Sequence, residues 1–543
     1  MNLKLVGATL LAAAVLVPVP EAIAQKSDFG EEQERLLRAQ SNKLFGFSQP
    51  IQRSATEADV VAREIATAED RQFLAGSLRA EYVARNVGYR ADMITFWPND
   101  TDYTHLIVCN EGGRSDAGVG EEVSGQPVDG QNTSVQRIHV ETGTVENILH
   151  GMDRCDGIRT TQWGTVLATE ETDDGQVYEI IDPLHTDGHW IADRPSGDIR
   201  NGLGSPLASA TVAKRDALVT QAWEGLEVLD NGVVIGGDEL RSGQDGDGGA
   251  VFRFVPDVLY DCVGAPVRPG QLCDNAISDL SQSPLVSGDN YALFHACSGD
   301  DDYGQGCEYG DAGRWVEVGA PTARADAAAN GATGYCRPED LHVDRSYGEF
   351  AGEDGIRWCW TNTCGGSDGE ALCATESSSA LDAQVQVFVD IGGTAGTKAF
   401  LSIDGSVLAE VDSQRFVDSS APDLDLRLSS HDNLDIQPVT SNVYMIEDTD
   451  FGDVWACLPD GGDKNETSDG CVALLSITDP EAEPTGFIFD GTGRTAFYNV
   501  QHGSQHESLL DFESNFACDS GDCNGYTDDL IMITGFKVPN KPE

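Results

Sequence analysis

Short apolar strands that end in polar or acidic residues recur along this chain. Six segments share this form: "THLIVCNEGG" (104–113), "GTVLATEET" (164–172), "GVVIGGDEL" (232–240), "IRWCWTNTCGG" (356–366), "GDVWACLPDGG" (452–462) and "RTAFYNVQHG" (494–503). Four of them follow a second element, in which a polar or acidic residue begins a short alternating strand: "CDGIRTT", "WEGLEVL", "RPEDLHV" and "HDNLDIQ". Each unit therefore predicts a strand, a turn and a second strand.

This repetition predicts an all-β fold, a six-bladed β-propeller, give or take one blade. Propeller blades are similar four-stranded sheets around a central channel, and they tolerate insertions in their loops. An insertion around 261–335 accounts for the widest gap between units. The sixty glycines and the turn signals "DNG" and "DGTG" agree with a chain rich in β-structure.

Helical periodicity is confined to the N-terminal part, in 31–40 and 57–82. Before it, an apolar run and the small-residue site Ala22-Ile23-Ala24 are typical of a secretory signal peptide. We therefore expect a signal peptide at 1–24, a helical and extended segment at 25–80 and the propeller at 81–543. The signal peptide indicates a periplasmic or extracellular protein.

The charge balance limits the partners. The chain has 91 Asp and Glu against 34 Lys and Arg, a net charge of −57. Such a charge repels nucleic acid and anionic membranes. We expect no nucleic-acid partner and no membrane insertion, but a monomer that binds small ligands and cations.

The fourteen cysteines leave two over when they are paired locally. In an oxidising compartment, neighbouring cysteines staple loops. The two left over are Cys109 and Cys155, which either bond to each other or serve another purpose. The expected local pairs are Cys262–Cys273, Cys297–Cys307, Cys336–Cys359, Cys364–Cys373, Cys457–Cys471 and Cys518–Cys523.

Propeller geometry predicts that the equivalent strand starts meet at one mouth of the channel, because all innermost strands run in the same direction beside the axis. The residues brought together in this way are Cys155, Asp156, Glu224, Glu339, Asp432 and Asn433. Two carboxylates about 4 Å apart repel by roughly 4 kcal/mol at an effective dielectric constant near 20. Cations would offset this repulsion: oxygen ligands suit calcium and ferric iron, while a thiolate favours a transition metal.

Several motifs resemble those of the PhoX-type secreted alkaline phosphatases. The segment "CDGIRTTQWGTVLATEE" is similar to the family's cysteine-containing segment that ends in a Glu-Glu pair, and "CRPEDLHV" to its Arg-Pro-Glu-Asp element. "HDNLDIQP", "WEGLEVLDNGVVIGGDE" with "GGAVFRFVPD", and "EPTGFIFDGTGRTAFYNVQHG" resemble three further family motifs. The likeness covers patches between about 80 and 505. The chain departs from the family at Cys109, Gln162 and Trp223, and it lacks a twin-arginine leader.

The resemblance implies a six-bladed propeller that carries iron and calcium together. It also implies that Arg337 binds the phosphate of the substrate, as the catalytic residue. The metal ligands it implies, with Cys155 as the iron ligand, are Cys155, Glu170, Glu171, Glu224, Glu339, Glu111, Asn110, Asp432 and Asn433.

These side chains also have simpler interpretations. A simpler interpretation of Glu224 and Glu339 is a salt bridge to a neighbouring arginine. For Arg337 it is an ion pair with a carboxylate. Because alternate strand residues face opposite ways, at most one of Glu170 and Glu171 should point at a given metal unless the strand bends.

Three further features give weaker evidence for a binding or catalytic site. The acidic loops near Asp245 and Asp247 and at 300–302 are expected to be solvated rather than to bind calcium. His502 is as easily structural as catalytic.

Together these observations predict a secreted metal-dependent phosphatase that hydrolyses phosphate monoesters at the channel mouth. Iron and calcium would neutralise the phosphoryl oxygens and activate the attacking water. The alternatives are a calcium-stabilised, non-catalytic binding propeller and a lactonase-like calcium hydrolase.

Overall fold

The structure is a computed structural model that describes most of the chain from residue 29 to residue 538. The predicted signal peptide, the acidic loops near 245 and 300, and His502 lie outside the described residues. The described residues are 29–63, 65–114, 133–201, 209–240, 248–264, 272–295, 313–346, 356–363, 370–376, 382–390, 398–403, 406–412, 428, 430–458, 470–501 and 527–538.

Two α-helices and thirty strands make up the described regular structure, with four short 3-10 turns. The helices are α1 (Phe29–Leu44) and α2 (Ala323–Asn330). The strands before and within the first three blades are β1 (Gln72–Leu74), β2 (Arg79–Val87), β3 (Ala91–Trp97), β4 (His105–Asn110), β5 (Thr133–His139), β6 (Thr144–His150), β7 (Cys155–Thr160), β8 (Thr165–Glu170), β9 (Val177–Ile181), β10 (His189–Asp193), β11 (Asp198–Arg200), β12 (Val212–Lys214), β13 (Trp223–Val228), β14 (Val234–Asp238), β15 (Val251–Pro256), β16 (Gly288–His295) and β17 (Gly313–Val318). The later strands are β18 (Pro338–Val343), β19 (Ile356–Asn362), β20 (Glu370–Glu376), β21 (Asp382–Asp390), β22 (Lys398–Ile403), β23 (Ser406–Asp412), β24 (His431–Ile436), β25 (Val443–Glu447), β26 (Asp453–Cys457), β27 (Cys471–Ile477), β28 (Glu483–Phe489), β29 (Thr495–Gln501) and β30 (Asp528–Thr534).

The strands form a six-bladed β-propeller, as the sequence predicts. The innermost strands of blades 1 to 6 are β3, β7, β13, β18, β24 and β28, and each contacts the next around a closed ring. Each blade continues outward through antiparallel neighbours, for example β7-β8-β9-β12 in blade 2, and blade 1 then adds β10 in parallel to β6. Blades 3 and 4 are also joined at their outer edges, where β17 pairs with β21.

Strands from the two ends of the described chain close the ring. β1 adds to the outer edge of blade 5 by pairing with β27, and β2 completes blade 6 by pairing with β30. Two buried arginines that precede these strands in the chain form ion pairs. Arg63 donates to Asp529 at 2.8 Å, and Arg71 pairs with Asp479 at 3.1 Å. The N-terminal segment is thereby an integral part of two blades.

The prediction of helix in 31–40 is confirmed by α1, but the prediction of helix in 57–82 is wrong. That segment forms turns, a single 3-10 turn (Ala68–Asp70), β1 and the start of β2. Its apolar residues have a spacing that suits a helix, yet pairing with β27 and β30 satisfies two open sheet edges. Tertiary pairing outweighs the local preference here.

Apolar side chains fill the spaces between neighbouring blades. All six residues of β8 are buried, because one face packs on blade 1 and the other on blade 3. Largely apolar runs such as "TVLAT" of β8 are therefore typical of strands that lie between two neighbouring blades. Among the described residues, no helix combines the length and apolar character needed to cross a membrane.

The disulfides partly follow the local pairing. Cys262–Cys273 and Cys457–Cys471 are confirmed. The pairs Cys336–Cys359 and Cys364–Cys373 are wrong, because Cys359 and Cys373 stand directly opposite each other on β19 and β20, 4.0 Å apart at Cα, and bond there. The pairs Cys297–Cys307 and Cys518–Cys523 lie outside the described residues.

Candidate metal and phosphate site

Every innermost strand carries the same irregularity near its start. The first residue in blades 1 to 5, and the first three residues in blade 6, pair normally with the second strand; two residues are then skipped before pairing resumes. Such a β-bulge re-aims the skipped side chains and is frequent beside functional sites. It is repeated six times around one mouth of the channel.

The first skipped residue is acidic in five of the six blades. These acids are Asp92, Asp156, Glu224, Glu339 and Asp432, and Gly486 takes the place in blade 6. All five are buried, with exposed fractions between 0% for Glu339 and 8% for Asp432. The predicted convergence of Asp156, Glu224, Glu339 and Asp432 is thus present, and Asp92 joins them.

A second layer of acids follows the second strand in four of the six blades. Glu111, Glu171, Glu239 and Asp448 come one residue after β4, β8, β14 and β25. Each donates its backbone N–H to the carbonyl of the residue that precedes the innermost strand; for Glu171 the acceptor is Arg154, at 2.8 Å. This shared hydrogen bond turns the four acids toward the axis.

The two layers surround a cavity of about 650 Å³. Eleven acidic residues and three arginines line it, so negative charge is in large excess. The lining residues are Tyr89, Arg90, Asp92, Glu111, Arg154, Asp156, Glu171, Glu224, Glu239, Arg337, Asp432, Asp448, Asp450, Glu481, Glu483 and Gln501.

Two groups of three carboxylates in this site are close enough to hold cations. One joins Glu171, Glu224 and Glu239, and the other joins Glu224, Glu339 and Asp432; within each group the ligand oxygens lie within 4.8 Å of one another. Glu224 belongs to both groups. A single residue would therefore contribute to both candidate cation positions.

Burial raises the pKa of the Asp92, Asp156, Glu224 and Asp432 carboxyls well above their ordinary range, and neighbouring carboxylates raise it further. For Glu339, burial raises the pKa to about 7, although the Arg337 guanidinium lowers it. Buried carboxylates in this arrangement are stable as anions only beside compensating positive charge. Their Coulomb energy strongly favours bound cations.

The donor set fits calcium. Calcium takes six to eight oxygen ligands, including carboxylates, in flexible geometry. Asp92 Oδ1 and Asp156 Oδ1 are buried at the cavity and have no hydrogen-bond partner among the described residues. Such oxygens are available as ligands.

Cys155 is not available as a thiolate, which corrects the expectation of a sulfur-bound iron. Its sulfur is bonded to Cys109, and both residues are fully buried between blades 1 and 2. In blade 1, Ala91 occupies the position that Cys155 occupies in blade 2. The cross-strand partner of Ala91 is Asn110, and Cys109 immediately precedes Asn110 in the chain. This packing brings the two cysteines, left over from local pairing, within bonding distance.

Glu170 faces away from the cavity, so its assignment as a metal ligand is also corrected. It is the register partner of Cys155, and its two oxygens accept from Arg194 Nε and Nη2 at 2.9 Å each. Its neighbour Glu171 lines the cavity. The expectation that at most one of this pair points at the site is confirmed.

Two asparagines assigned as ligands lie beside the site without lining it. Asn110 donates to the Thr133 carbonyl at 2.8 Å. Asn433 donates to Asp432 Oδ2 at 3.1 Å and accepts from the Gly486 N–H at 2.8 Å. Asn433 therefore orients a cavity acid and ties blade 5 to blade 6.

Arg337 lines the cavity as predicted and is held by carboxylates. Its Nε donates to Glu239 Oε1 at 2.6 Å, and Nη2 lies 3.2 Å from Glu339 Oε1. These carboxylates, Glu339 foremost, raise the pKa of the guanidinium further. The expected ion pair of Arg337 is therefore present, and its contact with phosphate stays a prediction.

The sequence analysis does not predict the site residues Arg90, Asp92, Arg154 and Glu239. A repeated sequence pattern marks the first three. Arg90-Ala91-Asp92, Arg154-Cys155-Asp156 and Arg337-Pro338-Glu339 repeat the pattern Arg-x-acid at the same place in three blades. Glu239 stands within a motif already quoted but was not singled out. Asp448 and Glu483 carry no comparable signal.

Beneath the acids, a buried ion-pair network crosses the channel. Arg159 of blade 2 donates to Asp340 at 3.2 Å and contacts His342 at 2.6 Å, both in blade 4. His342 Nδ1 in turn lies 3.2 Å from Asp435 of blade 5. We call Arg159, Asp340, His342 and Asp435 the axial network.

A solved structure of a known protein shares this fold. PhoX from Pseudomonas fluorescens, solved in complex with vanadate, a transition state analogue, superposes with a TM-score of 0.56 at 14% identity over 91% of this chain and 98% of that chain. A protein of unknown function from Dyadobacter fermentans DSM 18053 covers 84% of this chain and 99% of its own, with a TM-score of 0.38 and 8% identity. No protein-family model and no curated protein sequence matches the chain. The likeness to PhoX establishes the six-bladed architecture.

Proposed function

We propose that this protein is a secreted, metal-dependent phosphatase that hydrolyses phosphate monoesters in the cavity. The observation that carries the proposal is the pair of carboxylate groups joined by Glu224, with the Arg337 guanidinium 3.2 Å from Glu339. Phosphoryl transfer needs positive charge around the equatorial oxygens and little covalent chemistry from the protein. Cations beside an arginine are such an arrangement.

Each part of the site has a distinct role in this proposal. The carboxylates would hold the cations, which when bound would neutralise phosphoryl oxygens and lower the pKa of the attacking water. Arg337 would bind phosphoryl oxygens through its planar fork, with Glu239 and Glu339 fixing its orientation. The PhoX structure supports this reading, since a protein of similar fold was solved in complex with vanadate, a transition state analogue.

Calcium is the cofactor that the oxygen donors favour. Iron remains a prediction, and any iron would have to be held by carboxylates. The buried disulfides agree with an oxidising compartment, where a secreted protein would function.

Hydrolysis of 4-nitrophenyl phosphate by the full-length protein tests the proposal, after purification without chelator and elemental analysis. We expect calcium in more than trace amounts and turnover that chelation abolishes. Arg337→Ala should lower kcat/KM by about a hundred- to a thousand-fold, as loss of a comparable preorganised donor does. Arg337→Lys should restore part of this, because a point charge cannot reproduce the fork.

Arg79→Ala is the matched control, because Arg79 is exposed on the outer strand of blade 6 and lies 3.8 Å from Glu69. It should retain parental activity. Absence of phosphatase activity from neutral to alkaline pH, with calcium and iron supplied, would overturn the proposal and favour a non-catalytic calcium-stabilised propeller. An Arg337→Ala variant as active as its parent would overturn the role of this residue.

A further inference from the structure

Three arginines occupy one equivalent position around the mouth. Arg90, Arg154 and Arg337 each precede an innermost strand, and their φ angles are 58°, 55° and 53°. Such left-handed backbone conformations cost on the order of 1–3 kcal/mol for non-glycine residues and concentrate at functional sites. Ser430, at the equivalent place in blade 5, has a φ of 44°, so the conformation belongs to the position, and arginine occupies this position in three blades.

The charges of the cavity are layered by depth. The five bulge acids are at most 8% exposed, whereas the side chains of Arg337, Arg90 and Arg154 are 23%, 32% and 48% exposed. The bulge carboxylates therefore form the floor, and the guanidinium groups form the rim at blades 1, 2 and 4, while Asp448, Asp450 and Glu481 are exposed carboxylates on the side of blades 5 and 6. Once cations neutralise the floor, the arginine side of the rim presents positive charge to an entering molecule.

The rim arginines differ in how they are held. Arg337 is bound tightly, with Nε 2.6 Å from Glu239. Arg90 and Arg154 lie 3.8 Å and 3.5 Å from Glu111 and Glu171. Exposed ion pairs of this kind stabilise a fold by about 0–1 kcal/mol. These two ion pairs are longer than the contact between Arg337 and Glu239 and contribute little to the stability of the fold.

Their positions in the ring separate them into two sides. Arg90 and Arg154 belong to adjacent blades 1 and 2, and Arg337 belongs to blade 4, which lies opposite blade 1. A single phosphoryl group is small beside a cavity of about 650 Å³, so one that contacts Arg337 leaves the other side unfilled. An anionic molecule approaching a protein of net charge −57 also needs local positive charge along its path.

We propose that Arg90 and Arg154 bind a second anionic group of the substrate, a phosphate or a carboxylate, while Arg337 binds the phosphate that is cleaved. This inference rests on the proposed phosphatase activity and adds the substrate class. The enzyme would then prefer bis-anionic phosphate esters over simple monoesters.

The test compares two substrates that differ by one phosphate, fructose 6-phosphate and fructose 1,6-bisphosphate, with calcium in excess. We expect kcat/KM to be at least about tenfold higher for the bisphosphate. Arg154→Gln and Arg90→Gln should each lower that value by about tenfold and change the value for the monophosphate by less than about twofold. Arg79→Gln, the exposed control, should change neither. Equal losses on both substrates, or no loss, would overturn the proposal.

A binding measurement separates this inference from the phosphatase assignment. Thermal shifts would be recorded with propane-1,3-diphosphonate and with propylphosphonate, again with calcium in excess. We expect a larger stabilisation by the diphosphonate in the parent protein and equal stabilisation by both compounds in Arg154→Gln. That result without any turnover would sustain the arginine rim and refute the phosphatase. Equal shifts in the parent would refute the rim whatever the activity.

Discussion

Glu170 and Glu171 are adjacent in the chain and have opposite surroundings. Glu170, within β8, is satisfied by Arg194 and by the N–H groups of Asp153 and Gln176. Glu171, one residue later, faces the cavity, where burial and the neighbouring carboxylates of Glu111 and Glu239 raise its pKa well above its usual range. One position along a strand decides whether a buried glutamate stabilises a blade or can bind a cation.

This contrast predicts different phenotypes for two conservative variants. Glu171→Gln should lower calcium affinity by about tenfold or more and leave the calcium-free protein as stable as its parent, because a repelling charge is removed. Glu170→Gln should lower the melting temperature, because an uncompensated Arg194 remains, and should preserve calcium affinity. Calorimetric calcium titration and thermal melts of both proteins check this. Matching effects in the two variants would contradict the assignment.

Asp453 provides a pH-dependent prediction away from the site. It begins β26, accepts from Ser54 at 2.6 Å and has a pKa that burial raises to about 7. The folded state therefore holds a proton that the unfolded state has lost, so stability falls as pH rises from about 4 to about 7. Asp453→Asn should remove this loss, and its melting temperature should exceed the parent's increasingly from pH 5 to pH 8.

Asp59 is the opposite control. Its pKa is held below the usual range by the hydrogen bond from Arg53, so its contribution is present at neutral pH and lost on acidification. Asp59→Asn should destabilise the protein at pH 7. If the difference in melting temperature between Asp453→Asn and its parent were the same at pH 5 and pH 8, the pKa of Asp453 would not be raised in the folded protein.

At the scale of the strand, the bulges depend on close approach between blades. A Cβ atom on Gly225, which follows the bulge acid of blade 3, would lie 2.3 Å from the carbonyl oxygen of Glu339 in blade 4. On Gly157 it would lie 2.9 Å from the Glu224 carbonyl, and on Gly486 2.4 Å from the Asp92 carbonyl. Glycine at these places allows the acid-bearing backbones to meet.

Gly225→Ala should therefore displace Glu339. We expect a loss of about 1–3 kcal/mol in unfolding free energy from overpacking, and a clear loss of calcium affinity. Gly288→Ala is matched, since its Cβ would lie equally close, 2.3 Å, to the Val255 carbonyl on the outer part of blade 3. It should destabilise without changing calcium affinity. Calcium affinity retained in Gly225→Ala would show that the site tolerates movement of blade 4.

The sequence predicted the blades and part of the site because both follow from local pattern. Apolar strands ending in polar or acidic residues, repeated six times, mark the second strand of five blades and the third strand of blade 5, and equivalent strand starts must converge in a propeller. This placed Asp156, Glu224, Glu339 and Asp432 together. It could not distinguish Glu170 from Glu171, because that choice depends on the bulge.

The Cys109–Cys155 bond and the fate of 57–82 are not local properties. The two cysteines meet through packing between blades 1 and 2, and the segment after Glu57 becomes β-structure because β27 and β30 offer open edges. Both outcomes depend on contacts between residues far apart in sequence. Local periodicity contains no information about them.

At the scale of the whole molecule, closure of the ring and assembly of the site are one event. β2 pairs with β30 across a separation of more than four hundred residues, and β1 pairs with β27. The five bulge acids come from five blades, so they meet only when the ring is closed. Cation binding to the closed form alone would stabilise closure by mass action.

The axial network bears on how molecules would travel through the propeller. Arg159 reaches across blade 3 to blade 4, and His342 links that contact to blade 5, so paired side chains occupy the channel below the floor. An ester that enters from the acidic mouth and the phosphate released from it would use the same opening in turn. Phosphate still in the cavity would exclude the next ester, which predicts competitive inhibition by the product.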